Sequence, residues 1–209
     1  MGFTMEDLER RLQDDAERDI LDEKYPDSKP FDTLAQPNEL RRLTKEAIYL
    51  TGGQYALLLQ WLHPGLARGT FEHSDLEHRL LERVQSTIRF LSACIFGTEL
   101  EKRAIFHLIH KENALVVGEG YSADDPELHK WTAATLFMSL KMVHETFFRK
   151  LERREEERLL KEAAIYGTSL RMPTDWWPKT LEEFYKYWDQ NVETLEITEW
   201  ARKLSKQLM

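Results

Sequence analysis

The chain has 209 residues, with 29 Lys and Arg against 37 Asp and Glu, so its formal net charge is −8. That length makes one domain, with or without a short appendage, and the acidic balance argues against binding to nucleic acid or an anionic membrane. A hydrophobic fraction of 42% excludes wholesale disorder, and a single cysteine, Cys94, excludes an intrachain disulfide framework and a thiolate cluster.

Helix formers dominate and Gly and Pro are sparse (9 and 7), which points to an all-α fold. The charged stretch Met5–Glu23 reads as a peripheral helix. Tyr25–Pro37, with three prolines, reads as an irregular connector. A helix is expected over Asn38–Leu50, then a break or close backbone approach at Gly52-Gly53. A short apolar helix, Gln54–Leu62, should end at His63-Pro64-Gly65. Ser74-Asp75-Leu76-Glu77 has the form of a capping box with Ser74 at the N-cap. After it, Leu81, Val84, Ile88, Leu91 and Ile95 repeat at helical spacing as one apolar face.

Gly97 closes that helix, and a second capping box, Thr98 to Glu101, opens another that runs to about Leu115. Val116–Ser122 is a Gly-bearing loop. Asp125 and Pro126 are the N-cap and first residue of a helix reaching about Leu151, apolar on most sides and therefore central. Leu151–Lys161 reads as a solvated charged face. Loops follow around Met172 and Trp176-Trp177, then a helix opened by the Thr180 capping box, then a last helix over Glu193–Leu208. The expectation is a single globular domain, globin-like in packing, of about eight to nine helices around one buried helix. Residues 1–37 form a charged helix and Pro-rich connector, and 38–209 the functional domain. No apolar run approaches the roughly 18 residues of a membrane span, and the N-terminus is not leader-like, so a cytoplasmic location is expected.

The polar residues set into apolar patterns are the candidates for chemistry. His107 and His110 share roughly one face of a helix, embedded in apolar neighbours. Such histidines are most often satisfied structural residues; the functional reading is a metal or haem ligand. Arg83 and Thr87, one turn apart, begin a stripe that continues through Phe90 and Cys94. They read either as snorkelling residues or as a charge and hydroxyl at the mouth of an apolar pocket. His63, His73, Ser74 and Glu77 gather at a helix end, but their spacing is not that of a helical zinc motif. No phosphate loop, nucleophile elbow or CxxC pair occurs. Cys94 and the Trp176, Trp177, Tyr185, Trp188 group read as packing.

Five blocks in order carry a resemblance: Leu57-Leu58-Leu59-Gln60-Trp61-Leu62-His63-Pro64-Gly65-Leu66-Ala67, Glu72-His73-Ser74, Arg83-x-x-x-Thr87, His110, and Tyr121-Ser122-Ala123-Asp124-Asp125-Pro126-Glu127-Leu128-x-x-Trp131. Over residues 39–190 the chain resembles the catalytic domain of the rubber oxygenases (latex clearing proteins) and of the fungal mycophenolic-acid-pathway B-type oxygenase. The resemblance implies an all-helical fold around one haem b and its iron. His110 matches the proximal histidine, and Arg83 and Thr87 match the distal Arg and Thr. His63, His73 and Ser74 match motif positions without an assigned role. Two positions depart from the pattern: Ser86 stands where the rubber oxygenases carry an iron-coordinating Lys, and Trp131-Thr132-Ala133 stands where Trp-x-His is usual.

The resemblance implies an oxygenase that uses dioxygen on a hydrophobic isoprenoid or polyketide-like small molecule. Arg83 and Thr87 would hold an oxygen species or a propionate, beside an apolar lining of Phe90, Cys94, Phe137 and Met138. The alternatives are a haem-free cyclase in the same helical pocket and a non-enzymatic haem or lipid carrier or interaction domain. The loops 116–120 and 172–177 are expected to bear on substrate choice.

Overall fold

The structure, a computed structural model, describes residues 32–74 and 76–208. The helix expected over Met5–Glu23 lies outside these residues, as does most of the connector before Pro37. Among the described residues nine α-helices follow one another: α1 (Asn38–Thr44), α2 (Gly52–Trp61), α3 (Pro64–His73), α4 (Leu76–Phe96), α5 (Glu99–Asn113), α6 (Pro126–Phe147), α7 (Arg153–Thr168), α8 (Leu181–Thr194) and α9 (Glu199–Leu208). A small hairpin, β1 (Val117–Gly118) and β2 (Tyr121–Ser122), joins α5 to α6. The fold is all-α, as the composition implies.

Helix α6 is central. Asp125 Oδ1 accepts from Glu127 N–H at 2.9 Å and Pro126 opens the first turn, so its start is set by local chemistry. Its body is buried on several sides: Trp131, Ala133, Ala134, Phe137 and Val143 are all in the core. Helices α2 and α7 pack on α6 through small residues. A Cβ on Gly52 would lie 2.4 Å from Ser139 Oγ, and that hydroxyl instead donates to the Gly52 carbonyl at 2.6 Å. A Cβ on Gly167 would lie 3.4 Å from Ala133 Cβ. Ala133, which stands where the resemblance would place a histidine, is thus the contact at which α6 and α7 come close.

Helix α8 covers another part of α6. Trp188 stacks on Trp131 with ring centroids 5.2 Å apart, and Phe184 meets Phe137 edge-on at 4.7 Å. Helix α1 takes its N-terminal cap from α7, whose Glu162 Oε2 accepts from Leu40 N–H at 2.9 Å. Trp61, Ala67, Ala201 and Leu204 form a second, smaller core that joins α2, α3 and α9. Part of the connector is docked as well: Ala35 carbonyl accepts from the buried Lys102 ammonium at 2.7 Å.

Several local expectations are corrected. The segment after α1 is not helical through Leu50; Glu46 is extended and Ala47–Thr51 is a 3₁₀ turn. The glycine pair opens α2, and of the two expected readings the close backbone approach holds, at Gly52 against Ser139. His63-Pro64-Gly65 ends α2 as expected and also opens α3, with Pro64 in the first turn. Ser74 ends α3, its N–H bonding the Thr70 carbonyl at 3.0 Å. Val116–Ser122 contains the hairpin, turned by Gly120 at φ +80°. Helix α6 stops at Phe147, and the run 151–161 is only partly solvated, since Glu156 is buried against Lys141 and Tyr185. The C-terminal segment is two elements: Glu193 belongs to α8, and α9 begins at Glu199.

The apolar face of α4 divides in two. Ile95 is 4% exposed, whereas Leu81, Val84 and Ile88 are 68%, 41% and 41% exposed. The helix also kinks at Arg79, where φ is −123° and ψ 19°. Its C-terminal half packs into the core and its N-terminal half presents an apolar strip to solvent. The α5 helix that follows begins at a reciprocal capping box. Thr98 Oγ1 accepts from Glu101 N–H, and Glu101 Oε2 accepts from Thr98 N–H at 2.8 Å.

Candidate functional site

His110 lies in the last turn of α5 and its ring is partly buried. Its Nε2 is 2.7 Å from the Ser169 carbonyl at the end of α7. A carbonyl only accepts, so Nε2 carries the proton, and the lone pair of the neutral ring is on Nδ1. Burial first, and the nearby Arg171 guanidinium second, push its pKa down to about 4, so the imidazole is neutral at pH 7. Ser169 also ties this point to α4, through a contact of 3.6 Å between its Oγ and Cys94 Sγ.

Helices α4 and α5 run antiparallel across a two-residue connection and are pinned by Phe90 and Phe106, edge-on at 6.2 Å. Thr87 is three residues before Phe90 and His110 four after Phe106. At about 1.5 Å per residue they stand roughly 4.5 and 6 Å to the same side of that pair. His110 is therefore level with Thr87, and Arg83 is one turn beyond. The helix pair thus places these three positions towards one end. Both α4 side chains are exposed. Thr87 Oγ1 donates back to the Arg83 carbonyl at 2.9 Å, and Arg83 makes no ion pair among the described residues. His107, one turn before His110 on α5, is half-buried.

The other candidates stand elsewhere. His63 caps α3: its Nδ1 accepts from Gly65 N–H at 3.2 Å, and burial holds its pKa below the usual histidine value. His73 Nε2 is 3.0 Å from the Tyr121 hydroxyl, which donates to Glu72 Oε2 at 2.5 Å; Arg68 Nε donates to the other Glu72 oxygen at 2.8 Å. Arg68 holds the Glu72 carboxyl below the usual range, so this group fastens the hairpin to α3 as an anion with both oxygens engaged. Buried Ser74 sits at the end of the same helix. The expected lining residues are core: Phe90, Cys94 and Phe137 are buried against Phe106, Ser169 and Phe184, and Met138 packs against that core. Trp177 Nε1 donates to the Leu160 carbonyl at 2.8 Å as a loop anchor, while Trp176 is exposed.

Sequence reasoning missed the groups behind His110. Arg171 is the one non-glycine residue with positive φ among the described residues, at +79°. Its N–H bonds the Thr168 carbonyl and Met172 N–H bonds that of Gly167, both at 3.0 Å. These are the paired bonds of a Schellman turn, whose left-handed position glycine normally fills. A side chain there costs about 1–2 kcal/mol. Arg171 is buried and pairs with buried Asp124, Nη1 to Oδ2 at 3.4 Å. Beside them His129 Nε2 donates to the Ala123 carbonyl at 2.7 Å, and burial lowers its pKa. The signal in the sequence was an Arg set between two apolar residues, Leu170 and Met172.

Among the described residues no three His, Cys, Asp or Glu side chains stand together as a metal cage. His110 would offer a haem iron the lone pair of a neutral imidazole whose N–H is held by a carbonyl. On the same half of α4 as Arg83 and Thr87, Leu81, Val84 and Ile88 are exposed apolar surface.

Comparison with family models matches residues 40–209 to one described as "ER-bound oxygenase mpaB/B'/Rubber oxygenase, catalytic domain". Comparisons with curated proteins and with solved structures find no match. Among the described residues no helix is long and apolar enough to cross a membrane.

Proposed function

Because the chain belongs to the family of mpaB-type and rubber oxygenase catalytic domains, we propose that it is a haem b-dependent oxygenase acting on an alkene of a hydrophobic isoprenoid or polyketide-like small molecule. The observation that carries this reading is the partly buried, neutral His110, with its proton held on Nε2 by Ser169 and level with Thr87 on the neighbouring helix. Bound haem would supply the redox chemistry of dioxygen. His110 would hold it through the lone pair of the neutral ring. Arg83, one turn beyond that level, offers charge-assisted hydrogen bonds to a carboxylate such as a haem propionate. Leu81, Val84 and Ile88 offer an apolar bed for a lipophilic partner and keep water from it. Thr87, whose hydroxyl can leave its bond to the Arg83 carbonyl, supplies a donor at the same end.

One observation favours a second reading. Arg83 and Thr87 are exposed and make no hydrogen bond to α5, as suits a haem-free cyclase or a lipid carrier that uses the apolar strip alone. Visible spectra separate the two. On adding hemin, the account expects a sharp Soret band that shifts on reduction with dithionite and again with carbon monoxide. Protein that stays without such a band contradicts the haem-dependent reading and leaves the second one standing.

A further inference from the structure

Two imidazoles, His110 partly buried and His129 buried, each donate to a backbone carbonyl, His110 to Ser169 and His129 to Ala123, both at 2.7 Å. Those carbonyls belong to different segments, the turn that ends α7 and the stretch between β2 and α6. One ion pair joins the segments. Arg171, two residues after Ser169, meets Asp124, the residue after Ala123, at 3.4 Å with both side chains buried.

The backbone at 171 is left-handed, which favours glycine. The turn itself therefore does not call for arginine. What arginine adds is the bond to Asp124, which ties the turn to the start of α6. Met172 is buried and would meet a Cβ on Gly167 at 2.8 Å, so the turn is also packed from its far side. The Ser169 carbonyl of this turn meets Nε2 of His110.

We propose that Arg171, with Asp124 as its counter-ion, is a positioning residue for His110. The pair fixes the Ser169 carbonyl against Nε2, and this fixes which ring nitrogen carries the lone pair. The functional consequence rests on the reading of His110 as the haem ligand; the positioning itself does not.

The test uses the full chain without hemin, labelled with ¹⁵N-histidine, and reads the ring-nitrogen shifts of His110 at one pH. His110→Ala identifies its signals. The wild type is expected to show a single Nε2–H form. Arg171→Gly combined with Asp124→Asn removes the pair and leaves the turn its favoured residue; a mixture of the two neutral forms is expected, with the helical circular dichroism unchanged. Arg171→Lys, which keeps the cation, is expected to return the wild-type pattern. A folded double variant that keeps the single Nε2–H form overturns the proposal. If the double variant does not fold, Asp124→Asn alone, isosteric and uncharged, is read the same way.

A hemin titration is run on the same proteins. Where the wild type binds hemin, the double variant should bind at least about tenfold more weakly; unchanged affinity contradicts the functional consequence. Where the wild type takes up no hemin, the haem reading fails, and the nitrogen shifts still decide the positioning.

Discussion

At the scale of single residues, burial outranks identity in deciding what each histidine does. His63 caps a helix, His73 braces a tyrosine, and His144 packs beside both Tyr49 and Phe148 with its Nδ1 2.6 Å from the Tyr49 hydroxyl. His110, His129 and His144 all have pKa values pushed below the usual histidine value, by burial first. The sign of the consequence is fixed. Below about pH 6.5 the unfolded chain takes up protons that the folded chain refuses, so stability falls as pH drops from there towards about 4, where His110 itself protonates. Each such histidine contributes at most about 1.4 kcal/mol per pH unit in that window. Urea unfolding of hemin-free protein at pH 7, 6 and 5 should show this decline, and His110→Ala should make it shallower. A profile equally steep in the variant contradicts the neutral buried ring.

At the scale of elements, α4 shows where sequence and structure part. Its period is uniform from Leu81 to Ile95, yet only the half beyond Ile88 is covered. Ile95→Ala should cost about 2–5 kcal/mol, as a core truncation does, whereas Leu81→Ala should stay within about 0.5 kcal/mol. Equal losses in chemical denaturation would mean that the N-terminal half is packed too. Periodicity reports which residues share a face; what covers that face depends on the other elements and on any ligand. Capping residues were legible for a related reason: Thr98 and Asp125 act within a few residues of themselves. Thr180 was legible in part: its Oγ1 accepts from Glu183 N–H, while Glu183 turns to Lys179 N–H. Helix α3 was missed because Pro64 reads as a stop until it is seen in a first turn. Arg171 was missed because its reason, Asp124, is 47 positions away. His110 was singled out through the motif blocks, while its partner Ser169 was visible only in three dimensions.

For the whole molecule, α6 organises the fold, and the candidate site sits where α4, α5 and the end of α7 converge beside it. Trp131 shows how the layers depend on one another: it stacks on Trp188 of α8 and its Nε1 donates to the Leu59 carbonyl of α2 at 3.2 Å. Trp131→Ala should cost about 3–5 kcal/mol and lower the thermal midpoint in circular dichroism; a change under about 1 kcal/mol would mean that α8 does not depend on that stack. The family match spans this whole arrangement, from α1 to the end of α9.

The central claim is that His110 is the residue through which this fold holds haem. The most direct measurement is a hemin titration of His110→Gly, with and without added imidazole, followed by visible absorption and circular dichroism. The account predicts a folded variant that lacks the wild-type Soret band and regains it when imidazole fills the vacated place. A wild-type band in His110→Gly without imidazole would contradict it and move the ligand to another residue.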